Sequence, residues 1–492
     1  MKVLFIASEC APLAKVGGLA DVVGALPKAL KDLGIDVRVC LPKYQAIDLK
    51  KYKFKPVAKS IVVKKEKVDI YQGFLPESLP RSEDSLLRGR VIIYLLENEK
   101  YLSRNGIYFD EIQRFLFFLQ AILEIFPAIN WFPDIIHCHD WHTAIVPLLS
   151  KACPVPPRPF PKGRGWCGVK SQKSKVKILL TIHNLAQQGK WNTKEVLSFL
   201  NLKGDETKSL KIRDKGGDFN ILQQGILNAD LINTVSPRYA KEILTKEYGQ
   251  GLEEWLLKRK KEIFGILNGI DKQRFNPETD PDLKLNYSFQ NLEKKNENKI
   301  HLQRILNFKK NPQIPLFGFI GRLDSQKGID LIIEVIPELI KKECQLVILG
   351  VGILDYEKKL LELSQKYPQN ISSQIKFDSV LAQKIYAGAD IFLIPSQFEP
   401  CGLVQMIAMR YGAIPIARKT GGLADTIKEG KTGFLFEEYN AKSFLQSIDR
   451  ALKLYQNRKE WLRLMKKAMK KDFSWKSSSL EYLKLYKKLL NV

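Results

Sequence analysis

MKVLFIASECAPLAKVGGLADVVGALPKALKDLGIDVRVCLP, residues 1–42, sets the reading of the whole chain. Val3–Ala7 is an apolar run of strand length. Lys15-Val16-Gly17-Gly18 is a glycine turn, and an apolar helical stretch runs from Leu19 to Leu33. Gly34 stands where a helix C-terminal glycine belongs, and Val37–Leu41 is the next apolar run. Apolar strands separated by a helix fit a parallel sheet covered on both faces.

The same alternation continues to the end of the chain. Further strands are expected at Val91–Leu96, Ile135–His139, Val176–His183 and Leu231–Val235. A second series begins at Phe264–Gly269 and continues through Leu316–Gly321, Leu346–Gly350, Ile391–Pro395 and Ile414–Ala417. Three segments lack a period and read as loops: the Pro-, Gly- and Lys-rich stretch 154–175, the polar stretch 200–218, and a polar excursion over 276–298. One stretch repeats. Lys15-Val16-Gly17-Gly18-Leu19-Ala20-Asp21 returns as Lys419-Thr420-Gly421-Gly422-Leu423-Ala424-Asp425, each copy between an apolar strand and a helical pattern. A Gly-Gly pair before a helix lets the backbone come close to a ligand and aims N–H groups at an anion. One copy per half suggests two similar domains, each bringing a helix N-terminus to a shared cleft.

Composition bounds the rest. With 492 residues, 45% hydrophobic and 27% charged, the chain is an ordinary globular one of two or three domains, which excludes a disordered or collagenous class. No apolar run reaches the roughly 18–20 residues of a membrane helix. The N-terminal run is too short for a signal peptide. Lys and Arg number 79 against 53 Asp and Glu, a formal net charge of +26. The lysines are scattered, with clusters at 258–261 and 466–471, and no aromatic-interleaved motif accompanies them. They read as solvated helix faces that attract small anions, so no nucleic-acid partner is expected. Cys10, Cys40, Cys138, Cys153, Cys167, Cys344 and Cys401 form no C-x-x-C pair. That spacing fits free thiols in a reducing compartment and no structural zinc.

Four of the five histidines lie at two strand ends. His137, His139 and His142 stand in HCHDWH beside Asp140 and Trp141, and His183 stands in TIHN. In parallel α/β sheets the C-terminal strand ends form the ligand crevice. Three readings are open here: a metal site through His137, His139 and Asp140, hydrogen bonding to a polyhydroxylated substrate, or core histidines satisfied by backbone carbonyls. H-x-H-D lacks a recognisable third-ligand partner, which disfavours the metal. The Lys15 turn is neither G-x-G-x-x-G nor a Walker loop. A lysine beside two glycines at a helix start nevertheless suits a phosphate or diphosphate. Gly321-Arg322-Leu323-Asp324-Ser325-Gln326-Lys327-Gly328 closes one strand and begins a helix. Its Arg322 offers a bidentate fork and its Lys327 a point charge, a pair suited to a diphosphate leaving group. Ser396-Gln397-Phe398-Glu399-Pro400-Cys401-Gly402-Leu403 puts Glu399 between a strand end and a helix start. A carboxylate there can accept bonds from helix N–H groups and sugar hydroxyls.

Taken together, these residues resemble one family. KVGGLADVVGALPKAL (15–30), PDIIHCHDWH (133–142), TIHNLA (181–186), NTVSPRYAKEI (233–243), GILNGID (265–271), GRLDSQKGID (321–330), FEPCGLVQM (398–406), KTGGLADTIKEGKTGF (419–434) and DFSW (472–475) follow the order found in bacterial and plastid glycogen or starch synthases. Those are retaining glycosyltransferases of GT-B architecture. The resemblance implies transfer of glucose from a nucleotide diphosphate glucose, usually ADP-glucose, to the 4-hydroxyl at the non-reducing end of an α-1,4-glucan. Neither a metal nor another cofactor is implied. By the same resemblance Lys15, with Gly17 and Gly18, touches the diphosphate or sugar. Arg322 and Lys327 neutralise the departing diphosphate. Glu399 holds sugar hydroxyls, with backbone groups of Cys401, Gly402 and Leu403 near it and Thr420, Gly421 and Gly422 adding substrate contacts. His183 faces the reacting sugar with Asn184 and Asn268 beside it, and Asp21 and Asp140 are acceptor-side or positioning groups. The chain departs from the usual family pattern at Gly321, where serine is common, and at Gln187, where tyrosine is common. Ile407 stands where the Glu-x7-Glu relatives carry their second glutamate, which speaks against sucrose-synthase-like and mannosyltransferase relatives.

The expected fold is therefore α/β, with two doubly wound Rossmann-like domains facing across a deep cleft. Residues 1–264 form an N-terminal acceptor and catalytic domain, and 265–472 a nucleotide-sugar-binding domain. Residues 473–492 form a C-terminal helix packing back on the first. The expected compartment is the cytoplasm, or a plastid if a transit peptide precedes this numbering. An oxidoreductase reading lacks G-x-G-x-x-G with an acidic residue about 20 positions on. A non-catalytic glucan- or nucleic-acid-binding protein of the same fold is the alternative.

Overall fold

The computed structural model describes residues 1–76, 90–108, 112–152, 176–201 and 217–492. The basic stretch 154–175, most of 200–218, and Cys153 and Cys167 lie outside the described residues. The chain forms two compact units. The first comprises Met1–Val235, Ala240–Gly269 and Trp475–Val492, and the second Ser236–Tyr239 and Ile270–Ser474.

The first unit is built on a nine-stranded sheet. In chain order its strands are β1 (Lys2–Ile6), β2 (Asp36–Pro42), β3 (Lys55–Val63), β4 (Glu66–Phe74), β5 (Ile92–Glu97), β6 (Ile135–His139) and β7 (Lys177–Ile182). A separate two-stranded ribbon of β8 (Lys190–Trp191) and β9 (Phe219–Asn220) follows, then β10 (Leu231–Thr234) and β11 (Ile263–Gly265) return to the sheet. The spatial order is β11-β10-β7-β6-β1-β2-β5-β4-β3. β1 pairs parallel with β2, Val3 opposite Val37, and with β6, Val3 opposite Ile135. Val3, Leu4, Phe5 and Ile6 are fully buried, as an uninterrupted apolar run requires of a strand covered on both faces.

Two expectations need correction. The sheet is not wholly parallel, because β3 pairs antiparallel with β4 and β4 with β5. The KPVAKSIVV sequence of β3 is mostly exposed, and its apolar run is confined to Ile61–Val63. An edge strand needs no longer run, and its lysines discourage pairing with another chain. The strand expected at Phe264–Gly269 to open the second series is instead β11, with Ile263 and Phe264 opposite Ile232 and Asn233 of β10. Its backbone completes the ladder of the first sheet, so the units divide between Gly269 and Ile270 and not after 264.

The helix Trp475–Leu490 packs on the helix Gly18–Asp32. Trp475, Tyr482, Leu485, Tyr486 and Leu489 join Leu19, Val22, Val23, Leu26 and Leu30 in one core. Burying an apolar side chain contributes about 1.5–3 kcal/mol, so these last residues are part of what holds the first unit together.

The second unit carries six parallel strands: β12 (Leu316–Ile320), β13 (Gln345–Gly350), β14 (Ile371–Ile375), β15 (Ile391–Ile394), β16 (Ile414–Arg418) and β17 (Phe434–Phe436). Their order is β14-β13-β12-β15-β16-β17. The edge strands β14 and β17 escape a sequence search because ISSQI is half polar and FLF is three residues long. Strand order reverses between β1 and β6 in the first sheet and between β12 and β15 in the second. Crevices at the C-terminal ends of such switch points are where open α/β sheets take ligands.

The excursion over 276–298 is exposed in part but anchored by buried polar groups. Asp280, Tyr287 and Asn298 are buried. Tyr287 donates to Tyr411 O (2.8 Å), and Tyr411 OH donates to Asp280 Oδ2 (2.5 Å). Asn298 Nδ2 donates to Leu285 O (2.8 Å), so the polarity of this stretch is satisfied internally. The helix Lys295–Ile305 then buries Lys299, whose Nζ lies 2.5 Å from Asp390 Oδ2 and 3.0 Å from Tyr455 OH. Asp390 Oδ2 also accepts from Leu316 N at the start of β12 (2.9 Å). Lys299→Met leaves this carboxylate buried without its cation, and removing one partner of a buried pair costs about 3–5 kcal/mol. The variant should unfold at a clearly lower urea midpoint. An unchanged midpoint would show that Tyr455 and Leu316 alone sustain the charge.

Candidate active site

In the first unit the glycine turn is held by a residue that sequence reading passed over. Glu9 follows β1 and is buried. Its Oε2 accepts from the N–H groups of Val16 (2.6 Å) and Gly17 (2.7 Å), and Tyr108 OH donates to its Oε1. The amides expected to face an external anion are therefore occupied, at these two positions, by a carboxylate of the chain itself. The turn is open on its other side: a Cβ at Gly18 would meet nothing within 4 Å, and one at Gly17 only Glu9 Oε1 at 3.8 Å. Lys15 and Asp21, expected as separate contacts, form one ion pair, with Nζ 2.6 and 2.8 Å from the carboxylate oxygens.

The ends of β6 and β7 bring Asp140, His139 and His183 together. Asp140 has φ 56° and ψ −175°, outside the left-handed helical well and in a region that side-chain-bearing residues seldom adopt. Its Oδ1 accepts from His183 N (2.6 Å) and from Asn184 N (3.4 Å), so the carboxylate holds the backbone of the TIHN turn. Asn184 Oδ1 accepts from Ala186 N (3.1 Å). His183 Nε2 lies 3.0 Å from His139 Nδ1. Burial pushes His183 down to about 3. Burial pushes the Asp140 carboxyl up to about 7, with the two backbone bonds opposing the rise and Glu9 adding to it. His137 is a core histidine satisfied by hydroxyls, not by carbonyls: Nδ1 meets Tyr486 OH (2.8 Å) and Nε2 meets Thr181 Oγ1 (2.7 Å). Both nitrogens are taken. Among the described residues no group of 3 or more His, Cys, Asp or Glu side chains is placed to hold a metal ion. Asn268 is buried with its Oδ1 unpartnered and is not hydrogen-bonded to His183 or Asn184.

In the second unit the key contact is an ion pair at the β12/β15 switch point. Lys327 Nζ lies 2.6 Å from Oε2 of buried Glu399, and Ser396 Oγ donates to the same oxygen (3.0 Å). Backbone packing brings the two together. Gly328 is left-handed, φ 75°, and a Cβ on it would lie 2.2 Å from Pro395 O just past β15. The helix after β12 begins at Ile329 and not at Lys327, because Lys327 N is capped by Asp324 Oδ1 (2.9 Å) in a preceding single turn. Arg322, expected to act as a unit with Lys327, holds a different carboxylate: it lies 2.6 Å from Asp324 Oδ2, with a second bond to Gln326 Oε1 (2.8 Å). Its side chain is 58% exposed, which leaves the guanidinium accessible from solvent.

The second glycine turn packs against the Glu399 segment. A Cβ on Gly421 would stand 2.0 Å from Glu399 O, and one on Gly422 2.1 Å from Cys401 O. Gly422 N–H, expected to serve a ligand, donates instead to Glu399 O (3.1 Å) and Pro400 O (3.2 Å). Thr420 is buried immediately before them, and the helix they open is only Gly421–Thr426. Gln405 Nε2 donates to Cys401 O and Gly402 O, both at 2.9 Å, and Leu403 precedes the helix Val404–Arg410. Glu9, Tyr108, Ser396 and Gln405 were not legible as site-building residues. The available signal was positional, since Glu9 stands just past β1 much as Glu399 stands just past β15.

The family described as "Starch synthase catalytic domain" matches residues 2–258, and "Glycosyl transferases group 1" matches 303–468. Two parallel-sheet α/β units with these matches define a glycosyltransferase of the GT-B fold. The chain is 43% identical to a glycogen synthase of Desulforudis audaxviator, covering 99% of this chain and 96% of that one. It is 42% identical to a glycogen synthase of Thermotoga maritima, covering 100% and 99%. Among solved structures, the catalytic domain of starch synthase IV from Arabidopsis thaliana, bound to ADP and acarbose, superposes with a TM-score of 0.87 at 34% identity, covering 100% and 99%. A sucrose-phosphate synthase from Thermosynechococcus elongatus shares the fold at 17% identity and a TM-score of 0.62. The chain belongs to the glycogen synthase family and is a glucosyltransferase of glycogen or starch synthesis. Among the described residues no helix is long and apolar enough to cross a membrane.

The Asp140 carboxyl supplies a test of this geometry. Its folded value of about 7 lies above the ordinary 3.8, so between those values the folded chain binds a proton that the unfolded chain does not. Stability from this group is present at low pH and is lost as pH rises through about 7. Thermal melts of wild type and Asp140→Asn over that range should differ most at the alkaline end and converge as pH falls. A constant difference would remove Asp140 from its buried setting.

Proposed function

We propose that the chain transfers glucose from ADP-glucose to the 4-hydroxyl at the non-reducing end of an α-1,4-glucan, with retention of configuration and without a metal. The observation that carries this reading is the Lys327–Glu399 pair, 2.6 Å apart at the C-terminal end of the second sheet. The related starch synthase bound to ADP and acarbose supports the donor and acceptor classes. The five free cysteines among the described residues, all buried, suit a reducing compartment such as the cytoplasm.

The chemical problem is to stabilise a diphosphate leaving group and an oxocarbenium-like sugar. Lys327 answers the first, with Arg322 as a bidentate partner that exchanges Asp324 for phosphate oxygens. Negative charge grows on the bridging oxygen as the sugar departs, so a cation there acts on the transition state more than on the ground state. Glu399 aims the Lys327 ammonium and accepts from sugar hydroxyls. Gly421 and Gly422 hold the Glu399 segment by close packing, with Thr420 adding a substrate contact before them, and Cys401, Gly402 and Leu403 shape the turn beside it. In the first unit His183 faces the transferred glucose, and Asp140 and Asn184 set the turn that carries it. Lys15, Gly17, Gly18 and Asp21 form the turn that the sugar nucleotide approaches, and Asn268 offers its unpartnered oxygen to substrate. Attack on the same face as the leaving phosphate accounts for retention without a covalent enzyme intermediate.

Glucosyl transfer to glycogen, with ADP-glucose and UDP-glucose compared side by side, tests the donor. Preference for UDP-glucose would overturn that part of the reading. Glu399→Gln and Lys327→Ala should each lower kcat about 100- to 1000-fold, in line with the loss of one preorganised electrostatic contact. The KM for the sugar nucleotide should change far less. Losses that fall mainly on KM would reduce the pair to an anion attractor.

A further inference from the structure

The ring of His183 is held by another histidine, and the protons in that contact can be assigned. His139 and His137 alternate on one face of β6, and Thr181 of β7 lies opposite His139, so His183 projects on the same face of its own strand end. His139 is fully buried. Its ring sits 4.2 Å from that of His137 at 29°, and 5.1 Å from that of Phe5 at 33°. Thr143 clamps its backbone, accepting from His139 N (2.6 Å) and donating to His139 O (2.9 Å). Nδ1 lies 3.0 Å from His183 Nε2, whereas Nε2 is buried with no partner.

A neutral imidazole carries one proton, on one nitrogen or the other. If His139 carried it on Nε2, a buried N–H would have no acceptor, which is the rarer kind of orphan in folded chains. On Nδ1 the same proton makes a hydrogen bond, and only a lone pair is left over. We propose that His139 is a positioning residue: its Nδ1–H donates to His183 Nε2, which fixes His183 in the Nδ1–H tautomer and makes its outer nitrogen a donor to a sugar hydroxyl. This rests on the reading above in which His183 faces the transferred glucose. Burial keeps both rings neutral, so the tautomer and not the charge is the variable. A neutral donor grips a hydroxyl oxygen without setting an extra positive charge beside an oxocarbenium-like centre. Asp140 fixes the backbone of His183 and His139 fixes its ring, so the donor is aimed from two sides.

Selective 15N-histidine labelling of the full chain tests the assignment directly, since there are only 5 histidines. His183→Ala removes one set of ring signals and so identifies it. The expected result is a one-bond N–H coupling at His183 Nδ1 and none at Nε2, and a proton on Nε2 would overturn the proposal. Leucine and asparagine have nearly the same shape, so His139→Leu and His139→Asn separate the hydrogen bond from space filling. His139→Leu should lower kcat about 10- to 100-fold, as a small misplacement of a reacting group does, with the KM for the sugar nucleotide little changed. His139→Asn should recover most of that loss. Equal activity in the two variants would overturn the proposal while leaving the site reading intact, provided His183→Ala is inactive. Near-wild-type turnover in His183→Ala would overturn the site reading itself.

Discussion

At the ends of a parallel sheet the backbone N–H groups run out of strand partners, and a buried N–H without an acceptor is costly. Carboxylates meet that constraint throughout this chain. Asp134, Asp230 and Asp390 each stand immediately before a strand and accept from an opening residue of the neighbouring one: from Lys2 N at 2.7 Å at the exposed rim, Ile178 N at 2.8 Å and Leu316 N at 2.9 Å. At the opposite ends Glu9, Asp140 and Asp324 accept from the amides of turns. One set of acids ties strand to strand, and the other ties loop to strand.

The second set shapes the chemistry. A glycine turn before a helix looks like an anion cradle, yet Glu9 already fills part of the first one, and the Glu399 backbone closes on the second. The amides of Val16, Gly17 and Gly422 are therefore taken by the chain itself. In the mechanism proposed above, the side-chain cations Lys327 and Arg322 carry the positive charge instead. Gly328, Gly421 and Gly422 let chain pack on chain at distances no Cβ permits, whereas Gly17 and Gly18 have open space beside them.

Periodicity and punctuation carried most of the fold. The apolar runs of β1, β12, β13 and β15 and the glycines flanking the helix Gly18–Asp32 are local signals, readable within a few residues. The edge strand β3 was not readable because an exposed edge has no apolar requirement. Lys327 and Glu399 were legible singly, each at the end of an apolar run, but their pairing across 72 residues is a product of sheet order. The supports were harder still. Tyr486 reaches His137 across 349 positions, and no residue pattern near either one announces the other. The polar stretch 276–298 is hard to read for a related reason: Tyr411 is far away in sequence, and the local bonds, such as Asn298 to Leu285 O, follow no period.

The helix Trp475–Leu490 has a consequence for how the chain is made. Its tyrosines and leucines sit in the same core as β1 and the helix Gly18–Asp32, which are translated more than 400 residues before it. The second unit, Ser236–Tyr239 and Ile270–Ser474, is translated between them. During synthesis the first unit therefore waits with an open apolar groove along the helix Gly18–Asp32, while the second, whose strands are contiguous in the chain, can fold to completion before it. The unit begun first is finished last. Until the final helix arrives, the growing chain presents the kind of exposed apolar surface that chaperones bind and that aggregation starts from.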